Sequence, residues 1–220
     1  MNTKRAQTLL AMIAVLMIAG AQWGPAARAG SITYDVTVDT SSLASTTGGI
    51  QFTLIAGNSP APLDTAAITA FTPQAGLVPP PTPTGDVSGD LSGTLTMDNQ
   101  NPSLYSESLV YGSSLSFHVT LSSNPGSSSS ADTLFAFYLF DANGNPVSGP
   151  NSPSGEILDI NIQGPSGTFD TPVTYPPPAI TATQMSSSVP EPSSMVLLGV
   201  GLGAIVGWSR WRGWRDVRAD

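Results

Sequence analysis

Ser114-Leu115-Ser116-Phe117-His118-Val119-Thr120-Leu121 alternates polar and apolar side chains without a break. A period of two puts Leu115, Phe117, Val119 and Leu121 on one face, the pattern of a half-buried β-strand. Working outward, Ile32, Tyr34, Val36 and Val38 repeat the pattern upstream, as do Ile50, Phe52 and Leu54, and Leu158, Ile160 and Ile162 downstream. Val87, Leu91, Leu95 and Met97 fall on one face of residues 86–98 read as extended, with Gly89 and Gly93 as bulges or points of close packing. The run Leu134-Phe135-Ala136-Phe137-Tyr138-Leu139-Phe140 is apolar on both faces, which predicts a central strand.

Turn chemistry separates these runs: Thr47-Gly48-Gly49, Asn58-Ser59-Pro60, Asn124-Pro125-Gly126, Asn143-Gly144-Asn145-Pro146 and Gly164-Pro165-Ser166-Gly167. Away from the chain ends only residues 64–71 suggest a short helix. Seven to nine short strands on this spacing predict an all-β fold, an antiparallel β-sandwich that is jelly-roll-like or immunoglobulin-like, and they also permit a barrel. Pro79-Pro80-Pro81-Thr82-Pro83 reads as a stiff polyproline insert, and residues 176–188 as a Pro/Ser/Thr-rich stalk.

The charge distribution excludes whole classes of function. The seven basic residues are Lys4, Arg5, Arg28, Arg210, Arg212, Arg215 and Arg218, so the interval from Gly30 to Trp208 holds no Lys or Arg. That interval carries every acid except Asp216 and Asp220, 13 of the 15. Nucleic-acid binding needs cations to neutralise phosphates, and this body has none. There is no cysteine, which removes disulfides, thiol catalysis and thiolate metal sites.

Both ends read as addresses. Lys4 and Arg5 precede the apolar run Leu9 to Ala19, and Ala27-Arg28-Ala29 offers the small residues that a signal peptidase reads. Basic, apolar and small-residue regions in that order make a secretory signal peptide over residues 1–29, cleaved after Ala29. This expects passage through the Sec translocon. At the other end Val189-Pro190-Glu191-Pro192 precedes an apolar stretch, a transmembrane helix over about residues 194–209, followed by Arg210, Arg212 and Arg215. The core of that stretch, Met195 to Trp208, spans about 21 Å as a helix, short of the ~30 Å hydrocarbon core. The arginines hold the cytoplasmic side and Trp208, Trp211 and Trp214 the interface, as in a stop-transfer segment.

The Pro-Glu-Pro triplet, short apolar helix and Arg cluster together resemble the PEP-CTERM sorting signal, over residues 189–215, leaving 216–220 as a cytoplasmic tail. The resemblance implies recognition by an exosortase, cleavage near the triplet, and a producer that makes extracellular polysaccharide and biofilm. The body between the addresses, drawn as a domain over 30–175, is also similar to one subgroup of PEP-CTERM proteins. The matching segments are residues 34–43, Gly85-Asp86-Val87-Ser88-Gly89, residues 114–121 and residues 135–141. That similarity implies no activity.

Candidate chemistry in the body is sparse. His118, the single histidine, sits at an outward strand position beside Ser116 and Thr120, without a G-x-S-x-G elbow anywhere. Asp86 with Asp90, and Glu156 with Asp159, are carboxylate pairs by spacing, the minimum for glycoside hydrolysis. Trp is absent from the body, which weakens hydrolase and lectin readings alike. Asp141, Asn143 and Asn145 place oxygens at alternate positions, as calcium loops do, and equally suit an Asn-Gly turn. These observations predict a non-catalytic surface or matrix protein, and the PEP-CTERM resemblance implies its association with exopolysaccharide; the alternative is a calcium-dependent or carbohydrate-associated adhesion module.

Overall fold

The computed structural model describes residues 30–57, 62–73, 76–124, 131–164 and 166–185. Among them the chain forms strands β1 (Gly30–Asp39), β2 (Thr47–Ala56), β3 (Leu63–Thr72), β4 (Leu77–Thr84), β5 (Val87–Ser88), β6 (Leu95–Asp98) and β7 (Ser103–Val110). They continue as β8 (Ser114–Asn124), β9 (Thr133–Phe140), β10 (Leu158–Gln163), β11 (Thr168–Phe169), β12 (Val173–Thr174) and β13 (Ile180–Met185). Sheet A runs β13-β1-β8-β3-β6-β5 and sheet B runs β11-β10-β9-β2-β7-β4, with β12 also on β10. Every pairing is antiparallel.

The pairings nest: β1 with β8, β2 with β7, β3 with β6. From β1 to β5 and from β6 to β9 successive strands alternate between the sheets, with β5 and β6 forming the hairpin at the fold-over, so one long double ribbon is rolled over on itself, which is jelly-roll topology. This decides between the two sandwiches expected. β9 and β10 extend sheet B beyond β2, and β13 extends sheet A beyond β1.

Alternation explains why the ribbon closes. The inward residues of β8, namely Leu115, Phe117, Val119 and Leu121, meet Phe52, Phe135 and Phe137 from sheet B, all essentially without exposure. Phe117 lies edge-on to Phe52 at 5.2 Å and to Phe137 at 4.9 Å, the preferred geometry of buried rings.

Five expectations change. Residues 64–71 are not helical: they form β3, with the register slipping between Thr69 and Thr72 around Ala70 at φ 53°. That bulge returns Phe71 to the core. The polyproline run is not an insert but edge strand β4; its register against β7 breaks between Val78 and Thr82, where proline offers no N–H. Residues 180–185, expected in the stalk, instead pair with β1 as β13, so the described domain extends through Met185 and past residue 175. Residues 86–98 make a hairpin, β5 turning into β6 through Gly89 at φ 75°. A Cβ on Gly89 would lie 2.0 Å from the Thr94 carbonyl oxygen, so only glycine fits. Thr47-Gly48-Gly49, read as a turn, opens β2 instead.

Candidate functional site: an aromatic shelf on the outer face of sheet B

β9 lies inside sheet B between β10 and β2, as its apolar run predicts, and its outer face is covered only in part: Ala136 is buried there, Tyr138 and Phe140 are half-buried, and Leu134 is exposed. Phe135, Phe137 and Leu139 point into the core; Leu134, Tyr138 and Phe140 point outward. The Tyr138 and Phe140 rings stand side by side, 6.2 Å apart and 13° from parallel. The sheet register shows what surrounds them. Phe140 lies opposite Gly49, then Ser108 and Val78; Tyr138 lies opposite Gln51, then Ser106 and Thr82. The next row is Asp159, Ala136, Thr53, Leu104 and Thr84.

An open groove of about 370 Å³ runs along the Phe140 row, lined among others by Gly48, Gly49, Ser106, Ser108, Phe140 and Asp141. Gly49 leaves the flank of the Phe140 ring uncovered. Beneath it the Tyr111 hydroxyl faces the carbonyl oxygens of Gly49 at 2.8 Å and Phe140 at 2.9 Å, clamping β2 to β9. Burial pushes the Tyr111 phenol up to about 12, so it stays a donor.

Carboxylates flank the shelf at both ends. Asp141 follows Phe140, and its Oδ1 accepts from the amides of Asn143 (2.8 Å) and Asn145 (2.9 Å) while Oδ2 accepts from Asn145 Nδ2 (3.1 Å). Those bonds hold its pKa below the usual carboxylate range. Asn143-Gly144 turns with Gly144 at φ 79°, and Asp141, the charged member of the expected calcium set, serves that turn. No group of three or more His, Asp or Glu side chains able to hold a metal occurs among the described residues.

At the Tyr138 end, Asp159 accepts from the Tyr175 hydroxyl at 2.9 Å, and Glu156 accepts from the Ser154 amide at 3.0 Å. The structure brings Glu156 and Asp159 close enough to interact: burial raises the Asp159 pKa, and the Glu156 charge adds to it. Burial likewise raises the Tyr138 phenol, with Glu156 and Asp159 contributing. Asp86 and Asp90 take separate tasks, Asp86 accepting from Asn101 Nδ2 (2.7 Å) and Asp90 from the Ser92 amide (2.9 Å). Neutral donors also serve Asp39, Asp98, Asp132 and Asp170. A body without Lys or Arg thus serves most of its acids with amides and hydroxyls.

His118 is outward on sheet A, opposite Asp35 in the register, with Nε2 3.8 Å from Asp35 Oδ1. Its neighbouring hydroxyls bond to one another, Thr120 to Thr33 at 2.9 Å and Ser116 to Thr72 at 2.7 Å. The shelf itself was visible in the sequence as Tyr138 and Phe140, but their apolarity read as core.

The fold and shelf define a β-sandwich with an open, aromatic outer face. Residues 188–212 match the PEP-CTERM protein-sorting motif. A chain bearing it is exported, membrane-associated at its C-terminus, and targeted to an exosortase at the cell envelope. No curated protein and no solved structure matches this chain. The expected signal peptide with Ala27 and Ala29, the motif residues Val189, Pro190, Glu191 and Pro192, the expected transmembrane segment, and Arg210, Arg212 and Arg215 lie outside the described residues.

Proposed function

We propose that the exported domain is a non-catalytic surface or extracellular-matrix protein that associates with extracellular polysaccharide through the outer face of sheet B. The Tyr138–Phe140 pair carries this reading. Two large half-buried rings side by side on a polar sheet face suit the flat apolar face of a sugar ring, while Gln51, Ser106, Ser108 and Thr82 beside them suit its hydroxyls. The acids and His118 support the absence of catalysis, since their visible partners close turns and bridge strands. The chain reaches its site by a signal peptide cut after Ala29 and exosortase processing beside Pro190-Glu191-Pro192.

The test is co-sedimentation of the exported chain with extracellular polysaccharide from the producing cells. The parent is expected in the pellet and Phe140→Ala in the supernatant. A parent that stays in the supernatant overturns the reading. Intact mass of the released chain reads both cuts.

A further inference from the structure

We infer that the shelf receives a pyranose ring carrying a protonated amine, the unit of an amino-sugar polymer; this deepens the polysaccharide reading and rests on it. Three observations converge. First, the described body between residues 30 and 185 has twelve acids (Asp35, Asp39, Asp64, Asp86, Asp90, Asp98, Glu107, Asp132, Asp141, Glu156, Asp159 and Asp170) and no Lys or Arg. Its field repels anionic glycans and gathers cationic ones. Second, carboxylates lie at both ends of the ring pair, Asp141 lining the same groove as Phe140 and Asp159 standing in the row next to Tyr138, opposite Ala136. An ammonium over an aromatic face with a carboxylate at its rim is held by both. Third, the polar rows beside the rings cross β9, β2, β7 and β4, and the groove on them is shallow and open. That shape suits a linear polymer lying across strands in preference to a single lysine side chain, which would want an enclosed slot.

Gly49 supplies a way to close the shelf without disturbing the fold. A Cβ there would sit 3.8 Å from Phe140 Cβ and 3.7 Å from the Glu107 carbonyl oxygen, ordinary contact distances, and its φ is not in the left-handed region. Gly49→Val therefore keeps the strand and covers the ring flank. Neighbouring Gly48 is unsuitable, because a Cβ there would lie 2.3 Å from the Phe140 carbonyl oxygen.

The experiment immobilises the exported chain and measures binding of three probes in mildly acidic, low-salt buffer. They are a glucosamine oligomer, its fully N-acetylated counterpart, and polylysine of similar length. The parent is expected to bind the glucosamine oligomer about tenfold tighter than the acetylated one, the difference of roughly 1.4 kcal/mol that a partly desolvated cation–π contact supplies. Phe140→Ala and Gly49→Val should each weaken the glucosamine oligomer by a similar factor, and neither should alter polylysine binding. Added salt should erode the preference. Equal affinity for the two oligomers, lost in both variants, overturns the amine and leaves the polysaccharide reading standing. Polylysine binding that falls in step with the glucosamine oligomer marks a peptide site and also overturns the inference. If no oligomer binds, the inference falls, while co-sedimentation with the cells' own polysaccharide decides the broader reading. Matching melting curves for Gly49→Val and the parent tie any loss to the shelf.

Discussion

Asp64 opens β3 with no exposure, and its carboxyl group faces only neutral partners. Asn99 Nδ2 donates to Oδ2 at 3.3 Å, and the hydroxyls of Ser123, directly opposite in the register, and Thr133 lie nearby. Asp64 Oδ1 and Ser123 Oγ are the buried side-chain atoms left without a hydrogen-bond partner among the described residues. Burial raises the Asp64 pKa above its ordinary value, and the Ser123 and Thr133 hydroxyls offset this only in part. The sign of the linkage follows. Below the ordinary carboxyl pKa of about 3.9 the group is protonated both folded and unfolded, and it costs nothing. Above it the unfolded chain loses the proton first, so stability falls by about 1.4 kcal/mol per pH unit until the folded-state pKa is passed. Asp64→Asn removes that dependence while keeping an acceptor toward Asn99 and adding an N–H donor toward Ser123. Thermal unfolding of parent and variant from mildly acid to neutral pH is the assay, and the other carboxylates cancel in the difference. For a domain of this size the variant should gain roughly 3–6 °C per pH unit across that window, then hold its lead. A difference that stays flat, or shrinks as pH rises, would mean the buried carboxyl is ionised in the fold and the argument is wrong.

Two further outcomes are expected. Phe117→Ala removes the ring that touches Phe52, Phe137 and Phe71, and should cost about 3–5 kcal/mol; chemical denaturation showing less than about 1 kcal/mol would contradict the packing. Millimolar calcium should leave the melting temperature essentially unmoved, since Asp141 already accepts from its own loop; a rise of several degrees abolished by Asp141→Ala would reinstate a calcium site.

The strands legible in the sequence were those with one covered and one solvated face. β1, β8 and β10 alternate cleanly, and a period of two is enough to find them. β7 escaped because its code is inverted: Ser103, Tyr105 and Glu107 point inward, Tyr105 donating to Glu107 at 2.6 Å, while Leu104 and Val110 point out. β3 was hidden by Ala66, Ala67 and Ala70, whose small side chains favour helix locally, and by a bulge that breaks the period. β4 was hidden by prolines that only an edge position tolerates. The choice between jelly roll and immunoglobulin topology depends on which distant strands pair, such as β1 with β8, and local pattern carries no record of that. The shelf was half legible: Tyr138 and Phe140 announced themselves as apolar, but only the register sets Gly49 and Gln51 beside them on the outer face.

β1 and β13 are neighbours running in opposite directions, with Thr33 beside Met185 and Val38 beside Ile180. The domain therefore begins and finishes at one corner of sheet A. Tension entering at Met185 along β13 draws on all the rungs of that ladder together, in shear, instead of opening them one after another like a zipper. A sandwich gripped by polymer on sheet B and tugged through its last strand would resist by sliding friction between two antiparallel ribbons, the mechanically stubborn direction of a β-sheet.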